Sequence, residues 1–415
     1  MFKTIVLCML CLPRRPVRRS FNEDGSHSAK PGLLSSVLCL LSSVFCPLSS
    51  VLCLPSSAFA SEEANQPAKF SHTTSETGFI KGHSWGWVGL KGQYIGPEPA
   101  ESMKKMTETG ANWVCIAFAG YMNDANTPSI TWGDNEPCML TDAEVRRSIE
   151  LARQNGLKII LKPTVNVKDG TWRGYIDFRT AEGKTDTAAW DKWWVDFGMF
   201  LAHYAKIAEE TKCDMLCLGC EMSTTERFKD KWRGLIAEIR KIYTGPITYN
   251  ANHGNEDKVQ WWDAVDIIGM SGYYPVGTDD VGKAMQDLSK VPPADSSVEA
   301  LKKRWAPIKQ KLKYVSKRFD RPLFFIEIGV CSARGNSAAP WTHPQKNVAY
   351  DGDEQARFYQ AVIETFWDEP WFFGFAWWDW PSSLYVPEDA KTDTGFCIFG
   401  KPAEKIVRQW YAKPR

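Results

Sequence analysis

The chain has 415 residues, with 50 basic and 49 acidic side chains and a formal net charge of +1. Beyond the N-terminal segment the charges are interspersed and form no basic stripe, so nothing points to nucleic acid. The length admits two domains, or one α/β barrel with its loops.

Residues 1–60 read differently from the rest. Ile5–Leu12 is apolar and Arg14–Arg19 is basic. Leu33–Leu54 is a Leu/Ser/Val/Cys run that repeats every seven residues from Leu34, Leu41 and Leu48. The segment closes on Ala58-Phe59-Ala60, an A-x-A pattern suited to signal peptidase. The expectation is an export leader over 1–60, cleaved after Ala60, and a secreted or periplasmic protein. Its length and repeat are odd for a signal peptide. A membrane anchor, if the leader is retained, and a mis-assigned start codon are the alternatives. Residues 61–78 are polar and aperiodic and read as a flexible linker ahead of a domain over 79–415.

From there the elements follow one another regularly. Phe79–Trp85 is a first strand, and Glu98–Thr109 a helix closed by Gly110. Asn112–Phe118 is a second strand. Thr141-Asp-Ala-Glu144 is a capping box opening a helix with an apolar stripe at Val145, Ile149 and Ala152, stopped at Gly156. Leu157–Pro163 is the third strand. A long amphipathic helix over Thr187–Thr211 sets Trp190, Trp194, Phe197, Leu201 and Tyr204 on one stripe. Asp214–Glu221 is the fourth strand, and a helix from about Glu226 to Tyr243 follows. Ile247–Asn250 and Val265–Ser271 are strands five and six. A helix from Ser297 to about Phe319 leads into the seventh strand, Leu323–Gly329. A helix over Asp353–Trp367 precedes the eighth strand, Trp371–Trp378, and Pro402–Trp410 closes the chain.

Eight apolar strands alternating with helices is the count of a (β/α)8 TIM barrel in a single domain. A doubly wound open sheet is the alternative, but no glycine-rich phosphate loop follows any strand. Two of the strands share a grammar: each is an apolar run that ends on a carboxylate, Glu221 after strand four and Glu327 in strand seven. Barrel closure brings such strand ends to one rim, where a pair of carboxyls suits glycoside hydrolysis. For either glutamate alone, a strand-end salt bridge is the competing role.

Tryptophan is the compositional outlier, with 19 residues. A Trp-rich core accounts for some of them. Trp85, Trp87, Trp132, Trp172, Trp378 and Trp380 lie near predicted strand ends, where an indole face suits the C–H face of a sugar. Of the 12 cysteines, five lie in the leader and seven follow it, an odd number that leaves at least one thiol free or paired between chains. Cys213, Cys217 and Cys220 mimic metal spacing, yet they straddle one strand and are expected to pack rather than bind zinc.

An ordered series of motifs runs through the domain: KG at Lys81, GANWV at Gly110, LTDAEV at Leu140, LKPTV at Leu161 and LGCE at Leu218. WRGLI at Trp232, ITYNAN at Ile247, DIIGMSGYYPV at Asp266, FFIEIG at Phe324, FGFAWWDW at Phe373 and KPA at Lys401 complete it. The series resembles glycoside hydrolase family 113, among the clan A (β/α)8 glycosidases, from Lys81 to Tyr411. The resemblance implies Glu221 as acid/base and Glu327 as nucleophile in a retaining double displacement. It also implies Tyr273 (with Tyr274 as rival) against the nucleophile, Trp378 stacking on sugar, with Trp377 packed outward, and Asn252 binding hydroxyls. Trp85 and Trp172 join the substrate-binding set from the Trp-rich loops. Many clan A families carry Asn before the acid/base, where this chain has Cys220; that contact then comes from elsewhere, such as Asn252, or the sugar's 2-hydroxyl geometry differs. The implied substrate is β-1,4-mannan or glucomannan, cut internally by a monomer without cofactor or metal. Another clan A β-glycosidase, acting on a glucan or other β-linked polysaccharide, or a catalytically inactive carbohydrate-binding barrel, is the alternative.

Overall fold

The computed structural model describes residues 78–87, 89–136, 139–282, 294–343 and 348–415. The expected leader, nearly all of the linker and Cys138 lie outside the described residues. Eight parallel strands close in sequence order into a barrel. They are β1 (Ile80–Trp85), β2 (Trp113–Met122), β3 (Lys158–Val167), β4 (Met215–Cys220), β5 (Ile247–Ala251), β6 (Ile267–Ser271), β7 (Leu323–Ile328) and β8 (Phe372–Trp380). The expected (β/α)8 barrel is the observed fold.

Helices form where caps and stripes call for them. α1 spans Glu98–Thr107 and α2 Asp142–Gln154. At α2 the capping box is complete: Thr141 Oγ1 accepts from Glu144 N at 3.2 Å, and Glu144 Oε2 accepts from Thr141 N at 3.0 Å. α3 (Thr187–Glu210) starts on the Asp186 cap, and the expected stripe from Trp190 to Tyr204 is buried. α4 covers Lys229–Ile239, α5 Val298–Phe319, α6 Gly352–Phe366 and α7 Pro402–Tyr411. α4 starts three residues later than expected, because Glu226 sits in a 3-10 turn (Thr225–Arg227) and turns its side chain inward. Among the described residues no helix is long and apolar enough to cross a membrane.

Between β5 and β6 the alternation of strand and helix lapses. That crossing holds a 3-10 turn, Trp262–Ala264, in place of a helix. Trp261 and Trp262, both fully buried, supply the missing apolar cover, with Trp261 stacked on Trp232 of α4 at 4.6 Å. Large indoles do here what a helix face does elsewhere.

Strand alternation divides the core in two. Trp113, Cys115, Ile160, Met215, Phe324 and Ile326 belong to a cluster that fills the barrel. Alternate residues such as Val114, Leu161, Leu216 and Phe325 join the larger cluster between strands and helices. Closure brings β8 against β1, with Ile80 opposite Gly374. A Cβ at Gly374, whose φ is +129°, would run into the Ile80 carbonyl, so only glycine fits that seam.

Candidate active site

Both glutamates owe their direction to a one-residue slip in their own strand. Along β4, Cys217 pairs with Thr248 and Cys220 with Asn250, so β4 spends one residue more than β5. Gly219, at φ +149°, takes up the extra residue. Along β7, Phe325 pairs with Met270 and Glu327 with Ser271, again one residue more than the neighbour. The β8 side agrees, with Phe325 and Ile328 opposite Phe375 and Trp377. Since Phe324 and Ile326 face the interior, strict alternation would send residue 327 out toward the helices. The bulge re-aims it into the barrel mouth. By the same device Cys220 faces inward, on the same side as Cys217, and not on alternate faces as expected.

Glu221 follows directly in a left-handed conformation, φ +51°. Its N–H donates to Asn250 O at 2.7 Å. Ser271 Oγ donates to its Oε1 at 2.7 Å, and Trp172 Nε1 to its Oε2 at 3.3 Å. The Arg173 guanidinium stands 3.8 Å from Oε2. Burial raises the Glu221 pKa, the Glu327 charge raises it further, and Arg173 and Ser271 pull it back without cancelling the rise. A carboxyl so placed holds a proton at higher pH than an exposed glutamate does.

Glu327 is buried and meets a different set. Lys162, fully buried on β3, forms an ion pair with its Oε1. The Cys220 thiol lies 3.4 Å from the same oxygen, and Tyr273 OH donates to Oε2 at 3.5 Å. Burial disfavours the Lys162 charge, but the acidic groups around it, Cys220 and Glu327 foremost, together lift the lysine above its ordinary range. Burial and Glu327 together keep the Cys220 thiol protonated. Asn250 Nδ2 reaches both Cys220 Sγ (3.0 Å) and Ser271 Oγ (3.1 Å), so one polar chain joins the two carboxylates from beneath.

Above them opens a cleft of about 640 Å³, lined by Glu221 and Glu327 together with Trp172, Asn252, Tyr273 and Trp378. The site residues expected from the sequence therefore converge, with one exception. Trp85 is sealed in the core: its ring is 0% exposed, donates to Ser102 Oγ of α1 at 3.2 Å and packs on Tyr94. It cannot reach a sugar in this conformation. Trp87 takes that position instead, tilted against Trp378 at 5.3 Å with Arg173 over its face. Trp132 packs on Phe200. Trp377 stacks outward on Tyr359, as expected, and Tyr274 packs against Trp305 and His253 away from Glu327.

Lys162, Arg173, Ser271 and Asn250 are the polar groups that the sequence reading missed. Lys162 had a signal: a charge within an apolar run, two residues past the inward-facing Ile160. Arg173 had none beyond its place beside Trp172. Its Nε bonds Val165 O at 3.1 Å and its Nη2 bonds Asn166 Oδ1 at 2.7 Å, partners brought near by folding. His253, stacked on Trp341, and His343 also line the cleft. Burial lowers His253 to about 4, so it carries no charge near neutral pH.

A parallel barrel with two glutamates at the mouth of an aromatic cleft has the architecture of a glycoside hydrolase. The sequence profile of Glycoside Hydrolase Family 113 matches residues 83–401. Among solved structures, the GH113 β-mannanase AaManA from Alicyclobacillus acidocaldarius, in complex with ManMIm, is 40% identical with a TM-score of 0.72. That match covers 82% of this chain and 99% of the other. A second GH113 β-1,4-mannanase is 36% identical with a TM-score of 0.70, covering 81% and 100%. A β-D-glucuronidase from Dictyoglomus thermophilum, 13% identical with a TM-score of 0.53 over 81% of this chain and 51% of its own, shares the fold alone. No curated protein matches the chain. The chain belongs to Glycoside Hydrolase Family 113.

Proposed function

We propose that the protein is a retaining endo-β-1,4-mannanase in which Glu327 is the nucleophile and Glu221 the acid/base. The observation that carries this reading is the contrast between the two carboxyls on one cleft. Glu327 is paired with the buried Lys162 ammonium, which suits an ionised nucleophile. Glu221 has a raised pKa and few compensating charges, which suits a proton donor. In the first step a Glu327 oxygen attacks the anomeric carbon as the bond to the leaving oxygen breaks, and Glu221 delivers its proton to that oxygen. In the second step Glu221 takes a proton from water, whose oxygen displaces Glu327 and restores the starting configuration. Tyr273 donates to the Glu327 oxygen that Lys162 leaves free.

A neutral polysaccharide suits the cleft, because the buried His253 that lines it is uncharged near neutral pH and the Lys162 ammonium is already paired with Glu327. The mannan assignment draws on the family members named above. Reducing-end release should be measured on β-mannan, glucomannan, cellulose and xylan, using the protein from residue 61 onward. Short oligosaccharides from mannan, and none from the Glu327→Ala variant, are expected. Release from another polymer alone would overturn the sugar, and full activity in the variant would overturn the nucleophile. We also propose export with cleavage after Ala60; N-terminal sequencing of the mature protein tests it, and a Met1 terminus would sink it.

A further inference from the structure

We propose that Tyr249 and Glu226 form a positioning pair that fixes the backbone of Glu221, a role that rests on the acid/base assignment above. Glu221 holds a left-handed conformation, which is unfavourable for a non-glycine residue and persists only where its surroundings enforce it. The N–H before its side chain is tied to Asn250 O. The N–H after it, that of Met222, donates to Tyr249 OH at 3.0 Å. Tyr249 OH in turn donates to Glu226 Oε1 at 2.9 Å. Both peptides flanking the acid/base are thus anchored to β5, one by main chain and one by this phenol.

The pair is built for holding rather than for contact with sugar. Tyr249 is fully buried, tilted against both Trp232 and Trp261, and Glu226 is 3% exposed. Neither lines the cleft. Glu226 Oε2 accepts from Asn255 Nδ2 at 3.0 Å, and Asn255 N donates to Asn252 O at 3.1 Å. The same carboxyl therefore braces the loop that presents Asn252 and His253 to the cleft. Burial pushes Glu226 up to about 8 against its two donors and Lys258. A carboxyl oxygen accepts from Tyr249 in either protonation state, so the link to Glu221 persists through neutral pH.

Removing the phenol oxygen releases Met222, lets residue 221 relax and carries the acid carboxyl away from the leaving oxygen. The test compares kcat/KM on a mannooligosaccharide, whose leaving group needs a proton, with kcat/KM on a dinitrophenyl β-mannobioside, whose leaving group does not. For Tyr249→Phe, and for Glu226→Ala, the expected loss is about 10- to 100-fold on the first and under about 3-fold on the second. Glu226→Gln, whose amide oxygen still accepts from Tyr249 although its NH2 cannot accept from Asn255, should stay within about 3-fold of the wild type on both. Equal losses on the two substrates, no loss, or a Glu226→Gln variant as impaired as Glu226→Ala would overturn the proposal. Tyr249→Phe deletes one atom and keeps the ring stack, so it carries the test if Glu226→Ala fails to fold. Glu221→Ala with added azide serves as reference. Azide rescue of its turnover upholds the acid/base assignment independently, so failure of the pair and failure of that assignment give different results.

Discussion

Two parts of the barrel wall differ in a way that bears on chemistry. β2 and β3 run in unbroken register over ten consecutive pairs, from Trp113↔Lys158 to Met122↔Val167. β4 and β7 each slip by one residue near their C-terminal ends. The regular pair delivers Lys162 inward by simple alternation, fixed from below. The slipped strands deliver the carboxylates, at positions that alternation alone would waste. Regular pairing gives a rigid floor, and irregular pairing aims side chains that need a particular direction.

Breaking the slipped side should have the largest effect. Glu327→Ala removes the attacking group and should lower kcat by roughly 10⁴- to 10⁶-fold on mannan, the scale of losing a covalent nucleophile. A glycosyl-enzyme trapped on Glu327 by a fluorinated substrate, seen by mass spectrometry of peptides, checks the same assignment. Labelling at another residue would dismiss it.

Breaking the regular side should cost stability as well as rate. Lys162→Met leaves Glu327 without its buried counter-ion, and such one-sided losses cost about 3–5 kcal/mol. A drop in kcat of about 100-fold is expected alongside. Adding Glu327→Gln to Lys162→Met should restore much of the stability while turnover stays lost. Urea midpoints for the four proteins of that cycle measure the coupling.

Behind slipped β4, Glu226 offers a pH test of the same region. Its carboxyl is pushed up to about 8 by burial, above its unfolded value of about 4.5. The native state therefore binds more protons than the unfolded state between those limits. Stability contributed by the neutral carboxyl is full at low pH and falls as pH rises through about 8. Glu226→Gln lacks this titration, so its unfolding free energy should lose a few kcal/mol less than the wild type's between pH 5 and pH 8.5. Parallel pH slopes in the two proteins would refute the raised value.

Arg173 sharpens the contrast on the acid side. Its guanidinium favours the charged form of Glu221 and so lowers that pKa against the effects of burial and Glu327. Arg173→Met removes the lowering influence, and Glu221 should keep its proton to higher pH. The alkaline limb of kcat/KM on mannooligosaccharide should move upward, with about tenfold lower activity at the optimum as Cys220 and Asn166 lose their partner. A downward shift would mean the limb belongs to another group.

Much of this architecture was legible in the chain. Strands buried on both faces read as apolar runs, and α2 and α5 announced themselves through Thr141, Glu144 and Ser297. Glu221 and Glu327 stood out because a charge at the end of an apolar strand needs a reason. The bulges were not legible: a slip is a relation between two strands, and Gly219 was its only local mark. Lys162 pairs with a residue 165 positions away, a contact that only barrel closure creates. The sequence reads as a helix from about Glu226, but the residue lies in a 3-10 turn ahead of α4 and bonds Tyr249, 23 positions away.

Trp85 and Trp172 show the parity error at the scale of one ring, and they give the smallest expected effects. Ile80 faces the barrel interior, so five residues on, in a regular strand, Trp85 faces the helices and meets Ser102. Alternation counted from Ile80 would have placed it correctly. Trp172 stands on a loop, free of strand parity, and reaches Glu221. Trp172→Phe keeps an aromatic face but loses the bond to the acid carboxyl, worth about 1 kcal/mol, and should lower kcat/KM by about 5- to 10-fold without changing the urea midpoint. Trp85→Phe should do the reverse, leaving kcat/KM within about twofold while removing about 1–3 kcal/mol of stability through the lost Ser102 bond and packing. Michaelis kinetics and urea unfolding on the same two variants separate the cases. If Trp85→Phe raised KM while stability held, the ring would have to leave the core to meet substrate, and the division between floor and rim would fail at β1.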